Sequence, residues 1–145
     1  PASTGVDDSF SNIDNEKSAI SKAAAINKVS DQTNIEAIVN ETSAGGTTGF
    51  TSADRAGNID INGIEIAVST SAALSDTVNL NNVAAAINEK SGQTGVVATF
   101  NGNPATGISL VAADGRNISI SGDGTANSDA YGLPSSFGAG SELCP

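Results

Sequence analysis

The chain has 145 residues, a net charge of −10 from 16 acidic and 6 basic residues, no histidine and one cysteine. Such a charge repels a phosphate backbone or an anionic membrane surface, so neither nucleic acid nor membrane is an expected partner. The missing imidazole removes the commonest general base and metal ligand, and a single thiol, Cys144, leaves no internal disulfide.

Hydrophobic residues make up 38% of the chain, with 4 Phe, 1 Tyr and no Trp or Met. Any core is therefore built from Ile, Val, Leu and Ala. Residues 1–10 are polar. Asp14 or Asn15 is placed to cap a helix, with Glu16 in its first turn. A helix is predicted over Lys17–Val29, with Ala19, Ala23 and Ile26 as its apolar stripe and Ile20 and Ala24 beside it. Ser30–Asn34 ends the helix, and Ile35–Val39 reads as a strand. Residues 42–57 are rich in Gly, Thr and Ser and read as a connector in which Phe50 docks on a core.

The next segment is better patterned. Asn58–Ile61 and Ile64–Val68 flank Asn62-Gly63, a strong hairpin signal because both turn residues tolerate positive φ. Ile59, Ile61, Ile64 and Ile66 are expected to share one face. After a polar loop at 69–77, a helix is predicted over Asn79–Lys90, with Leu80, Val83, Ala84 and Ile87 at helical spacing and a stop at Ser91-Gly92. Val96–Phe100 is the following strand, and Asn101–Pro104 a turn. Ile108–Ala112 and Asn117–Ser121 read as a second hairpin about Asp114-Gly115. From there on, polar residues dominate, with Leu133-Pro134 and Phe137 as possible packing points.

Ala23–Asn40 returns as Ala84–Asn101 with an offset of 61 residues, and 10 of the 18 positions are identical: Ala23, Ala24, Ala25, Ile26, Asn27, Ser30, Gln32, Thr33, Ala37 and Asn40. Self-similarity of this kind marks a duplicated supersecondary unit. The expected fold is α+β and β-rich. Small antiparallel sheets with hairpins each pack against one short helix, in a duplicated ββαβ-type unit. The expected division is a first, partial unit over 1–42, a connector over 43–57, a second ββαβββ unit over 58–122, and a polar segment and tail over 123–145. The first unit lacks an Asn-Gly turn in residues 1–14. Its leading hairpin is then either degenerate, with Phe10 and Ile13 in a lone strand, or lies outside the excised piece.

Ile61-Asn-Gly-Ile64, Ala84-Ala-Ala-Ile-Asn88, Thr94-Gly-Val-Val-Ala98 and Leu110-Val-Ala-Ala-Asp114, in that order, resemble the IN-type repeat of the variable central region of bacterial flagellins. Asn15–Ser18 leading into Ala23–Asn27 resembles a degenerate copy. The resemblance spans about residues 12–42 and 57–122. It implies an outer, D2/D3-type domain of a secreted flagellar filament subunit: non-catalytic, extracellular, cofactor-free and recognised by antibodies. It also implies that contacts to other filament subunits run through regions missing here, so that this fragment is monomeric. Related repeats occur in hook-associated and filament-cap proteins.

Asp7-Asp8 and Asp14/Glu16 are paired carboxylates, but capping and solvation account for them. Asp123–Asp129 offers oxygen ligands without the spacing of a calcium loop. Gly45-Gly46 and Gly49 are followed by no Gly-Lys-Ser/Thr. Arg55 and Arg116 read as isolated and solvated. Asn40-Glu-Thr42 and Asn117-Ile-Ser119 are N-glycosylation sequons. By resemblance, Thr47, Thr48, Thr51, Ser52, Ser69, Thr70 and Ser71 are candidate O-glycosylation sites, against a plain reading as soluble loop residues. A glycan-binding adhesin is the alternative reading, with Phe10, Phe50, Phe100, Tyr131 and Phe137 as its few aromatic platforms. Catalytic, cofactor and metal residues are assigned to none.

Overall fold

The computed structural model describes residues 1–122, 128–134 and 141–143. The Asp123–Asp129 ligand stretch falls mostly outside them, as do Phe137 and Cys144.

The mixed α+β class with small antiparallel sheets is what the chain adopts. Two 3₁₀ turns, Gly5–Asp7 and Asn15–Lys17, precede α1 (Ala19–Asn27) and the single-turn α2 (Ser30–Thr33). Then come β1 (Thr42–Ala44), β2 (Arg55–Ile61), β3 (Ile64–Thr70), α3 (Asp76–Glu89), the single-turn α4 (Ser91–Thr94), β4 (Val97–Thr99), β5 (Ser109–Ala112), β6 (Ile118–Gly122) and β7 (Ser141–Leu143). One sheet has the order β1-β5-β4 and the other β3-β2-β6-β7.

The β2–β3 hairpin forms as its Asn-Gly turn requires. Asn62 and Gly63 sit at φ 53 and 81, and Ile61 faces Ile64 while Ile59 faces Ile66. Ile59, Ile61, Ile66 and Val68 are buried against α3. That helix turns Leu80, Val83, Ala84 and Ile87 inward. It starts three residues earlier than its apolar pattern indicated, because Ser75 accepts from the Val78 amide as N-cap. Helix α3 packs on β3 of one sheet and β4 of the other, so one apolar stripe closes both layers.

The expected second hairpin is not a hairpin. β5 and β6 flank the Asp114-Gly115 turn but pair with different partners, β5 with β1 and β4, and β6 with β2 and β7. The turn is a corner between sheets. Two amides help to divert β6. Asn62 donates its backbone N–H to the Ser119 carbonyl, and its side-chain oxygen accepts from the Ser119 amide. A turn residue thus also pins the neighbouring strand.

The connector over 43–57 is not a boundary. It carries most of β1 and the start of β2, and Phe50 and Ala44 lie in the same core as α3. Leu133, expected as a packing point of the polar C-terminal segment, is buried there, and so is Tyr131, for which no packing was expected.

The first unit departs most. Helix α1 is capped by Ser18, whose Oγ accepts from the Ser21 amide, and not by Asp14 or Asn15. It buries Ser21, Ala23 and Ala25 against the N-terminal 3₁₀ turns and leaves Ile26 exposed. Among the described residues its packing partners are those turns and not a sheet, so of the Ala19/Ala23/Ile26 stripe only Ala23 is buried. Phe10 and Ile13 form no strand, and Ile35–Val39 is extended but unpaired.

The duplication survives at the level of single hydrogen bonds. Asn88 donates to the Ala98 carbonyl at 2.9 Å and accepts from the Ala98 amide at 2.7 Å. Asn27 does the same to Ala37 at 3.0 and 2.8 Å. A side-chain amide here takes the place of a neighbouring strand, offering one donor and one acceptor to one residue. The intervening turns also match. Thr33 and Thr94 oxygens accept from the amides two residues on, and Asn34 and Gly95 end the single-turn helices at φ 54 and 71. These bonds account for the identity of Asn27 and Thr33 with Asn88 and Thr94, whose side chains make them.

Ile87→Asp places an unpaired charge at a site of 0% exposure between helix and sheets. It is expected to cost about 4 kcal/mol or more and to abolish the cooperative melt in calorimetry; an unchanged melt would refute this packing. Asn88→Ala strands both backbone groups of buried Ala98 and is expected to lose about 1–3 kcal/mol in urea unfolding. Asn27→Ala, acting on a half-buried residue in an exposed segment, is expected to lose under about 1 kcal/mol. Equal losses would show that the clamp's worth does not depend on burial.

Candidate functional surface

The titratable groups that could have formed a site are committed to local structure. Asp7 accepts from Lys28 at 2.7 Å and from the Thr4 hydroxyl, and the Lys28 bond holds its carboxyl below the ordinary value. Asp8 is fully buried. Burial pushes its carboxyl up, but the Ser11 and Ser18 side chains and the amides of Phe10 and Ser11 outweigh this and hold it low. Asp14 pairs with Lys17 in the first turn, and Glu16 is exposed. Asp54 is lowered by the Ala72 amide and the Ser71 hydroxyl, which tie the loop after β3 to the start of β2.

Arg116 is not solvated. It grips Asp114 with Nε and Nη2, reaches the Thr94 carbonyl with Nη1, and lies over the Phe10 ring at 5.3 Å. Burial raises the Asp114 carboxyl, and the Arg116 bonds override it and leave it lowered. Its neighbour Asn117 is 1% exposed and donates to the Ile13 and Asp14 carbonyls, while its backbone amide donates to Ser11 Oγ. The N-terminal segment is thereby fastened to the β5–β6 corner. No local pattern signals this, since the partners are over a hundred residues apart.

That burial removes Asn117 from the glycosylation candidates. In the other sequon Asn40 is exposed but Thr42 is buried in β1. Among the O-linked candidates, Thr48, Thr51 and Ser69 are exposed. Thr47 donates to the Leu133 carbonyl, Ser52 to Asp76, Thr70 to the Ala53 carbonyl and Ser71 to Asp54. Gly46 leaves no room for a Cβ against the Ile108 backbone, so it packs a loop and cradles no phosphate. Arg55 reaches the Thr51 and Ala130 carbonyls.

Among the described residues the aromatics form no shared platform. Phe50 and Tyr131 are buried, Phe100 is half-buried, and Phe10 lies beneath Arg116. A shallow open cleft of about 510 Å³ is lined by Asn27, Ser30, Asp31, Asn34, Ile35 and Glu36. Among the described residues, no three Asp, Glu or Cys side chains converge, and no helix is long and apolar enough to cross a membrane. No family model matches the sequence, and no curated protein matches it.

Asp7, Asp8, Asp54 and Asp114 are all lowered in the folded state. Their contribution to stability is present above the unfolded carboxylate value of about 3.9 and is lost as pH falls through the folded values. The melting temperature is expected to be nearly flat from about pH 7 to 5 and to drop below about pH 4. Asp8→Asn should shallow that drop more than Asp7→Asn, because Asp8 is buried. Calorimetry from pH 2 to 7 checks this, and equal slopes in both variants would refute it.

Proposed function

We propose that the chain is a non-catalytic structural module, the surface-exposed outer domain of a bacterial flagellin. It would decorate the filament outside the cell and present antigenic loops. The observation that carries the reading is the doubled helix–turn–extended unit with its Asn27–Ala37 and Asn88–Ala98 clamps. Of the residues that resemble the flagellin IN-type repeat, Ala84–Asn88 and Thr94–Ala98 build this unit, and Ile61–Ile64 and Leu110–Asp114 form the β2–β3 turn and the β5 corner beside it. Among the described residues, the side chains of Asp7, Asp8, Asp54, Asp76 and Asp114 and the hydroxyls of Ser18, Ser52, Thr70 and Ser71 are spent on caps, turns and loop ties.

In this reading the acidic surface keeps neighbouring copies apart in solution. Thr48, Gly49 and Thr51 on either side of the buried Phe50, Ala72–Ser75 and Asn101–Asn103 are exposed, with Thr48, Thr51 and Ser69 as the exposed hydroxyls for any sugar. The filament-forming contacts and the remaining partners belong to other parts of the subunit. A cap or hook-associated parent is the second reading, since those proteins carry related repeats.

Antibodies raised against this domain and imaged with gold on the source cells test both. Label along the whole filament is expected. Label confined to the filament tip or base would give a cap or hook-associated protein, and label on the cell body would support an adhesin.

A further inference from the structure

The two copies of the repeat differ in what covers them. In the second copy Ile87 and Val96 are 0% exposed and β4 is paired by β5. In the first copy the corresponding residues, Ile26 and Ile35, are 44% and 60% exposed, and Ile38 is 82% exposed. The same unit is built, held by the same asparagine, and left open along one side.

Which backbone groups are open follows from the clamp. Asn27 takes both the N–H and the C=O of Ala37. Successive residues of an extended chain direct their groups to opposite edges, so those of Glu36 and Ile38 point the other way. Among the described residues nothing hydrogen-bonds to them. In the second copy the equivalent Val97 and Thr99 stand opposite Val111 and Ser109 of an antiparallel strand, with Ala98 and Leu110 as the pair between.

We infer that residues 35–39 form an open strand edge through which a second copy of this chain pairs, antiparallel, about a two-fold axis at Ala37. The segment Ile35-Glu-Ala-Ile-Val39, bounded by the left-handed Asn34, is nearly self-complementary when reversed. Ile35 then faces Val39, and Ala37 faces its own copy. Glu36 faces Ile38, so no like charges stand opposite in spite of the net charge of −10. The Glu36–Ile38 pairs exchange both hydrogen bonds, and Ala37–Ala37 is the closer, non-bonded pair, as Ala98–Leu110 is within the chain. Such an isologous contact closes at two copies. It is small, so the chain stays monomeric when dilute and pairs when copies are concentrated or held side by side. Salt strengthens the pairing by screening the acidic surfaces.

Disulfide trapping reads the register directly. In a Cys144→Ser background, single Ala37→Cys, Ile35→Cys and Val39→Cys chains are oxidised at about millimolar concentration with oxidised glutathione. The two-fold axis brings only position 37 next to itself, within disulfide reach. The Ala37→Cys chain is expected to dimerise at least about tenfold faster than either other single variant. Ile35→Cys mixed with Val39→Cys should cross-link as a pair. Adding Ile38→Pro, which removes a pairing N–H from an 82% exposed residue, should slow the Ala37→Cys reaction about tenfold. Equal rates at positions 35, 37 and 39, or no dimer from any of them, would overturn the proposal. If the proline variant alters the circular dichroism spectrum, the ordering of the three cysteine variants still decides.

Discussion

The Asn88 side chain joins the two layers of this protein. Helix α3 lays Leu80, Val83, Ala84 and Ile87 over the four-stranded sheet, and its last turn must hand the chain to β4 of the three-stranded sheet. At the end of a helix the final carbonyls lack internal partners, and a short strand beginning nearby has one bare edge. Asn88 meets the second problem by bonding both backbone groups of Ala98. The αL residue Gly95 and the single-turn α4 set the distance at which that bond can close. With β4 fixed against α3, β5 has an edge to add to, and β1 has β5. The core then fills with aliphatic side chains, with Phe50 and Tyr131 as its buried aromatics.

Local signals were legible where both the turn and the burial pattern were local. Asn62-Gly63 fixed its hairpin because its partners are adjacent in sequence. The Leu80–Ile87 stripe was readable because α3 is covered on one face only. The Asp114-Gly115 turn was misleading for a physical reason. A Gly with φ 76 and alternating aliphatics suits a hairpin and a corner equally well. What separates them is whether β5 and β6 find better partners elsewhere, and two of those partners, β1 and β2, lie some 60 to 70 residues upstream. Helix α1 failed in the same way. Its Ala-rich sequence has two possible inner faces, and the choice of Ser21 and Ala25 follows from the N-terminal turns packed on it. Periodicity could not report that neighbour.

The surface tells a similar story about candidate chemistry. Carboxylates and hydroxyls close together in sequence invite a reading as sites, but in a chain rich in Ser, Thr, Asn and Asp they first satisfy backbone groups that short strands and long loops leave open. Asp54 ties Ser71 and Ala72, Asp76 ties Ser52, and Asn79, at 0% exposure, bonds Ser71 and Ser52. These bonds rigidify the loops without drawing acidic groups into a shared pocket. Polar residues are abundant here because the small core cannot immobilise so much irregular chain by burial alone. The candidate sites were legible as residue types, and their local employment became clear only with the loop ties in view.

The contrast between the two copies of the repeat separates local folding from tertiary support. The clamp, the Thr bond and the αL turn form in both, although one copy is buried and the other is not. Their geometry is therefore written in about fifteen residues and needs no sheet beside it. Burial adds a different thing, the shielding of Ile87 and Val96, which raises the worth of each hydrogen bond by removing water as a competitor. A repeat that closes its own backbone bonds can diverge in its covering strands and still fold as a recognisable unit. Repetition can therefore persist between copies that differ in what covers them.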